Sequence, residues 1–380
     1  MKNVVISAFS RSPFTPAHKG ALAAVRPDDI TAQVIKALLK KSAVNPEDIE
    51  DLILGCAFPE AEQGLNMARL LVHLADLPIK IAGVTVNRFC GSSMQAIHMA
   101  AGAIQMNAGE VFICAGVESM SRIPMGGFNS LPNPDLYQRF PQAYISMGET
   151  AENLARKYHI SRSEQEQFAY LSQQKALQAV QQGRFSEEIV PVYPKKGKPV
   201  SADGCLRPDS SLEAMAELKP AFLADGSVTA ATASPLTDGA AAVLVCSEAY
   251  ADRHQLNKLA RIKSIAVSAC EPEIMGIGPV QATKKALQRA ALSLQDIDLV
   301  ELNEAFAAQS LAVLKELSIA NDTLNIDGGA IALGHPLGAT GARITGKVAS
   351  LLQREQKRYA LATQCIGGGQ GIATILEAVS

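Results

Sequence analysis

No stretch of this sequence approaches the ~18 uninterrupted apolar residues that mark a membrane-spanning helix, so no such span is expected. A leader is not expected either. Met1 to Ser7 read directly as a strand around Val4-Val5-Ile6, without a charged n-region, an apolar run and a cleavage site. The closing Glu377-Ala378-Val379-Ser380 lacks an address of the Ser-Lys-Leu kind, and a cytoplasmic location is the expectation. There is no excess of charge of one sign: 35 basic and 37 acidic side chains leave a net charge of −2. The single short basic cluster, Lys195-Lys196-Gly197-Lys198, reads as a solvated loop, which argues against nucleic-acid binding. Cys-x-x-Cys and His-Glu-x-x-His are both missing, and His18, His73, His98, His159 and His254 are scattered, so no metal centre is expected. Seven cysteines, an odd number spread through a long chain, fit reduced thiols better than a disulfide framework. Cys56, Cys114, Cys205, Cys246 and Cys270 mostly border apolar runs and read as packing residues.

What is present is a compact enzyme-like composition, 48% hydrophobic and 19% charged. At 380 residues the chain exceeds the ~250–300 at which a single core stops growing, so two core units or one duplicated unit are expected. An internal repeat favours duplication. Residues 37–49 (ALLKKSAVNPEDI) and 286–297 (ALQRAALSLQDI) share a helix, a turn and an Asp-Ile leading into an apolar strand. The resulting offset of 248 residues also carries Val111-Phe112-Ile113-Cys114-Ala115 onto Tyr359-Ala360-Leu361-Ala362-Thr363. Helices alternate with strands such as Leu52-Ile53-Leu54, which predicts mostly parallel sheets with helices on their faces. Residues 1–118 and 235–255 form one expected half, and 256–380 the other. The segment 119–234 is an insertion expected to cover a substrate or to serve dimerisation. Ser161 and Glu164 form a capping-box start for a helix towards Gly183, so the insertion is structured.

Three glycine-containing motifs carry chemistry. Asn87-Arg88-Phe89-Cys90-Gly91-Ser92-Ser93-Met94 follows strand-like Val84-Thr85-Val86 and opens an alanine-rich helix running to about Met106. Cys90 therefore sits at a helix N-terminus, where the macrodipole favours a nucleophilic thiolate; the plainer reading is a small buried residue at a tight turn. Gly328-Gly329-Ala330-Ile331-Ala332-Leu333-Gly334-His335-Pro336-Leu337-Gly338 places one histidine among small residues, ahead of a helix resuming at about Gly341. Adding 248 to 90 gives 338, so His335 occupies the turn equivalent to that of Cys90 and can meet it as a base. Cys365-Ile366-Gly367-Gly368-Gly369-Gln370-Gly371 ends a strand and offers a second thiol beside free backbone N–H groups. A dinucleotide-binding reading of it fails, because no strand–helix–strand unit fits in the nine residues after Gly371. Gly341-x4-Gly346-Lys347 is no phosphate loop, since Val348 stands where Ser or Thr must bind magnesium.

These motifs, with Asn303-Glu304-Ala305-Phe306-Ala307 between them, resemble the thiolase family in the family's order, from Val4 to the C-terminus. The phrases Pro59-Glu60-Ala61-Glu62-Gln63-Gly64-Leu65-Asn66-Met67-Ala68-Arg69 and Met275-Gly276-Ile277-Gly278-Pro279-Val280 look like bacterial members of its degradative 3-ketoacyl-CoA branch. The resemblance implies an α/β thiolase fold, five layers (αβαβα) from two similar halves with a loop domain inserted in the first. It implies that Cys90 carries the acyl group as a thioester, His335 activates Cys90, and Cys365 moves the proton at the α-carbon. Asn303 would hold a water that with His335 forms one oxyanion hole, and the backbone N–H groups of Cys90 and Gly367 would form the other. Arg207, Ser234 and Met147 would contact coenzyme A, which is a substrate; no cofactor is required. Homodimers or homotetramers are implied, with a hydratase/dehydrogenase subunit as a possible further partner. Three positions depart from the family pattern: Ser146 precedes Met147-Gly148 where biosynthetic relatives often have His, Pro235 follows Ser234 in place of Gly, and Asp327 replaces Asn before Gly328-Gly329.

Two other activities and one inactive alternative share this fold. An acetoacetyl-CoA thiolase working towards synthesis would use the same three residues. A ketoacyl-synthase-like condensing enzyme would lack the thiol at Cys365, and a catalytically inactive acyl-CoA carrier would have lost Cys90, His335 or Cys365.

Overall fold

A computed structural model describes residues 2–379; Met1 and Ser380, the outermost residues of the two expected halves, lie outside the described residues. Among the described residues ten strands are formed: β1 (Val4–Arg11), β2 (Thr15–Pro16), β3 (Asp51–Cys56), β4 (Ala82–Val86), β5 (Val111–Ser119), β6 (Thr237–Ser247), β7 (Ala260–Ala269), β8 (Leu299–Leu302), β9 (Tyr359–Ile366) and β10 (Gln370–Glu377). They lie in the order β4-β3-β5-β6-β1-β7-β10-β9-β8, with β2 pairing to β6. The order repeats: β3-β5-β6-β1 in the first half corresponds to β8-β9-β10-β7 in the second. The halves meet where β1 and β7 touch over only two residue pairs, Val5 with Arg261 and Ile6 with Ala260.

The side-chain alternation of each strand shows why five layers form. Leu52 and Leu54 of β3 point outward into a core shared with the helix Pro27–Ser42, whereas Ile53 points inward. In the second half Leu361 faces the outer helix Gly278–Ala290, and Ala360 and Ala362 face inward. Strands apolar on both faces must be covered on both faces. The central cover consists of two helices, Ser92–Gln105 and Leu337–Arg354, packed against each other between the sheets.

Two expectations need correction. The pairing is mixed rather than mostly parallel: among the described residues only the strand pairs β3–β4, β3–β5 and β8–β9 are parallel. The reason lies in the connections that have no crossover helix. In β9–β10, Gly368 and Gly369 adopt φ of 80° and 83° and fold the chain straight back as a hairpin. The helix holding Gly341 begins at Leu337, four residues earlier than expected, after a separate turn at Ala330–Leu333. Its glycines do not break it, because they are the contact surface. A Cβ on Gly341 would lie 2.3 Å from the backbone nitrogen of Met94 on the neighbouring helix, and one on Gly338 would lie 2.4 Å from the Val117 carbonyl oxygen.

Between β5 and β6 the chain forms the helices Pro134–Arg139, Met147–Lys157, Arg162–Gln181 and Leu212–Ala216. The capping box of Ser161 and Glu164 is present. Charged side chains tie this segment to both halves. Arg11 of β1 pairs with Glu188 (2.9 Å) and Asp203 (2.7 Å), and Lys347 of the central helix pairs with the same Glu188 (3.0 Å).

Gly341→Ala should lower folding stability by about 1–3 kcal/mol, as expected for overpacking where neither backbone can retreat. Chemical denaturation measures it; an unchanged midpoint would show that the two helices are not held in contact.

Candidate active site

The N-termini of the two central helices converge, and each is preceded by one of the expected functional side chains. Cys90 occupies the turn between β4 and the helix Ser92–Gln105. Local hydrogen bonds fix this turn. The Phe89 N–H donates to Asn87 Oδ1 (2.8 Å), the Ser92 hydroxyl to the Phe89 carbonyl (2.6 Å), and Asn87 Nδ2 to the Ala57 carbonyl (2.9 Å). Phe89 takes a left-handed φ of 43°, a strained conformation for a bulky residue that turns the next side chain into the cavity.

His335 is 4% exposed and held at three points. Its backbone N–H donates to Thr237 Oγ1 (3.0 Å), Nδ1 lies 2.6 Å from Thr340 Oγ1, and Nε2 lies 3.3 Å from Asn303 Nδ2. The Thr340 hydroxyl gives its one proton to the Pro336 carbonyl (3.0 Å), so it can only accept from the imidazole. This assigns the ring proton to Nδ1 and leaves Nε2 with a lone pair. Burial, with Arg343 nearby, pushes the His335 pKa down to about 3, so the ring rests as a neutral base.

Cys365 lies near the end of β9, wholly buried, and burial followed by the proximity of Cys90 raises its thiol well above the usual range. Cys90, His335 and Cys365 line one cavity of about 170 Å³. The backbone N–H groups of Gly367 and of Cys90 itself lie beside the Cys90 sulfur and favour its anion. Burial prevails, and the Cys90 pKa rises to about 11. The expected thiolate is therefore a thiol at rest: the cost of stripping water from the anion exceeds what the helix N-terminus returns.

Ser234 and Met147 also line the cavity, with Ser234 Oγ donating to the Ala305 carbonyl (3.1 Å). Ser146 and Pro235, two of the departures from the family pattern, lie in its wall as well. Arg207 stands apart, exposed, its guanidinium donating to the Ala230 carbonyl (3.2 Å). Asn303 is fully buried, and its Oδ1 has no protein partner among the described residues. Sequence reasoning missed most of the apolar wall: Met120 and Met125, Phe222, Leu236 and Leu337 come from four separate segments and carry no shared spacing. It also missed Thr340, although a hydroxyl one helical turn into the segment after His335 is a natural partner for the ring. All seven cysteines are free; Cys56, Cys114, Cys205 and Cys246 are buried and Cys270 is partly so.

Alkylation of Cys90 by iodoacetamide, followed by peptide mass spectrometry, should be slow near neutral pH and climb as pH rises towards about 11. The sign follows from the raised pKa, which postpones the reactive anion to high pH. A rate already at its plateau near neutrality would overturn this account of the resting thiol.

Comparison with known proteins agrees with this geometry. Residues 4–249 match the family model "Thiolase, N-terminal domain" and residues 256–378 match "Thiolase, C-terminal domain". The chain is 46% identical to the 3-ketoacyl-CoA thiolase of Bacillus subtilis, covering 99% of this chain and 100% of that protein. It is 47% identical to that of Vibrio cholerae, with the same coverage. Among solved structures it is similar to human mitochondrial 3-ketoacyl-CoA thiolase (TM-score 0.92, 39% identity, 100% and 99% covered). It is also similar to the Bacillus anthracis acetyl-CoA acetyltransferase (TM-score 0.92, 40% identity, 100% and 99% covered). With two family models spanning nearly its whole length and a pair of thiols meeting a neutral histidine in one apolar cavity, the chain belongs to the thiolase family of acyltransferases.

Proposed function

We propose that the protein cleaves 3-ketoacyl-CoA with coenzyme A, releasing acetyl-CoA and an acyl-CoA shortened by two carbons, in fatty-acid β-oxidation. The observation that carries this reading is the meeting of Cys90, His335 and Cys365 in a single cavity, with the backbone N–H groups of Gly367 and Cys90 beside the Cys90 sulfur. His335 Nε2 takes the Cys90 proton as the sulfur attacks the 3-keto carbon. The alkoxide that forms is held by the N–H groups of Cys90 and Gly367. Its collapse breaks the bond between C2 and C3, and the departing acetyl-CoA enolate takes a proton at C2 from the Cys365 thiol. The enolate oxygen is stabilised by His335 and a water held by Asn303, whose unpaired Oδ1 suits that role. Incoming coenzyme A returns a proton to Cys365 and attacks the thioester; Cys90 leaves and regains its proton from His335. Two half-reactions on one nucleophile give ping-pong kinetics. Nothing in this sequence of steps calls for a cofactor or metal.

In this reading the segment 119–234 covers the substrate, Met147 and Ser234 touch the pantetheine arm, and Arg207 meets the nucleotide end of coenzyme A at the surface. The family's oligomers suit an exposed edge: among the described residues β4 pairs only with β3, and Ile79, Phe89 and Met99 around it are exposed. We therefore propose a homodimer or tetramer in the cytoplasm, and light scattering that returns a monomer would overturn this part. A second reading, condensation of two acetyl-CoA, draws support from the small cavity and from the likeness to an acetyl-CoA acetyltransferase.

Coenzyme A-dependent cleavage assayed on 3-ketoacyl-CoA of four to sixteen carbons separates the readings. Cleavage beyond four carbons is expected, and cleavage of acetoacetyl-CoA alone would favour the second. Cys365→Ala should abolish carbon–carbon cleavage while Cys90 still loads with acyl groups from simple acyl-CoA; retained cleavage would remove Cys365 from the mechanism.

A further inference from the structure

Glu118, at the end of β5, is 1% exposed and accepts four N–H hydrogen bonds from both halves of the molecule. From the first half come the backbone N–H groups of Ala57 (2.9 Å) and Phe58 (3.3 Å) and the amide of Gln63 (2.8 Å). From the second half comes the backbone N–H of Gly338 (2.9 Å), in the first turn of the helix that follows His335. All four partners are donors, and the Cys56 thiol, 3.8 Å away, is a fifth. Burial raises its pKa and the hydrogen bonds from Ala57, Gln63, Gly338 and Phe58 oppose that rise; no acceptor is offered to a carboxyl proton, so the carboxylate is the form these partners favour. It caps the N-terminus of a helix belonging to the other half, where a negative charge is favourable. The route to the nucleophile is equally short: Ala57, which donates to Glu118, accepts through its carbonyl from Asn87, whose Oδ1 fixes the turn of Cys90. Gln63 is itself locked, accepting from the Ser119 N–H (2.7 Å) and donating to the Phe58 carbonyl (2.8 Å).

We propose that Glu118 is a positioning residue for acyl transfer, a buried anion that pins the Cys90 turn and the His335 helix to one point and so sets the distance between nucleophile and base. It touches no reacting atom in this role. The inference rests on the reading of Cys90 and His335 as nucleophile and base. Its charge also reaches Cys90, whose thiol it helps to keep protonated. This second effect supplies a readout that a purely structural residue would not move.

Two variants separate reach from charge. Glu118→Asp keeps the anion but draws it back by one methylene, so it cannot serve both halves. Its kcat should fall on the order of 10²-fold, as for a displacement of about 1 Å, with KM for coenzyme A unchanged and the midpoint of Cys90 alkylation against pH unmoved. Glu118→Gln removes the charge and turns an NH2 towards N–H donors. Its kcat should fall at least as far, and the alkylation midpoint should move to lower pH. Full kcat in either folded variant would overturn the proposal, as would a loss confined to KM or an unmoved midpoint in Glu118→Gln. If one variant fails to fold, the other decides; failure of both would make Glu118 a folding residue and overturn the proposal. Acyl loading of Cys90 in the unaltered protein is measured alongside, because its absence there would sink the mechanism and not the role of Glu118.

Discussion

The close contact of two helices at the centre of the molecule governs nearly everything else. Ser92–Gln105 and Leu337–Arg354 lie between two sheets, and their first turns come together because Gly341 has no side chain to hold Met94 away. Each helix is preceded by a turn bearing one group of the proposed mechanism. The duplicated architecture thus brings two chemically different turns to one place by the same fold: Cys90 in one, His335 in the other. Close packing of this kind is rigid, and rigidity is what a proton transfer between two side chains requires.

Burial sets the resting electrostatics of the site. It raises both thiols and depresses the imidazole, so Cys90, His335 and Cys365 all rest uncharged. A separated thiolate and imidazolium would have to be made where water has been removed, which is costly unless fixed dipoles await the charge. In the proposed mechanism the N–H groups of Cys90 and Gly367 are those dipoles. They are backbone groups, provided by a helix start and by a glycine hairpin. The proposed chemistry accordingly depends on backbone placement as much as on the three side chains.

Much of this was legible in the sequence, for identifiable reasons. The offset between 37–49 and 286–297 revealed the two halves, because a repeated helix, turn and strand leaves a repeated pattern. Cys90, His335 and Cys365 stood out because each sits among glycines where backbone approaches substrate. The mixed pairing was not legible: strand–helix alternation describes β3, β4 and β5 well, but β10 returns through a glycine hairpin and β6 returns antiparallel to β5 after the inserted segment, which alternation does not encode. The thiolate was misjudged because a helix N-terminus can be read from sequence and the depth of burial cannot. Glu118 gave no signal, since its donors lie at Ala57, Phe58, Gln63 and Gly338, and only the fold brings these together.

The departure at Asp327 gains meaning from the same logic. An Asn at this place would carry no charge, yet the carboxylate here is fully buried and pairs with Arg184 (2.8 Å), Lys347 (2.8 Å) and Arg354 (2.6 Å). These cations hold its pKa far below the usual carboxylate range against the opposing effect of burial. Lys347 continues through Glu188 to Arg11 and Asp203, so charges of alternating sign run from the glycine loop of His335, across the inserted segment, to β1 of the first half. Buried ion pairs of this kind add little net stability over apolar packing, but breaking one strands a charge at a cost of about 3–5 kcal/mol. Such a chain therefore penalises misplacement more than it rewards assembly. That is the property needed where three separate stretches of sequence must hold one histidine in register with a cysteine.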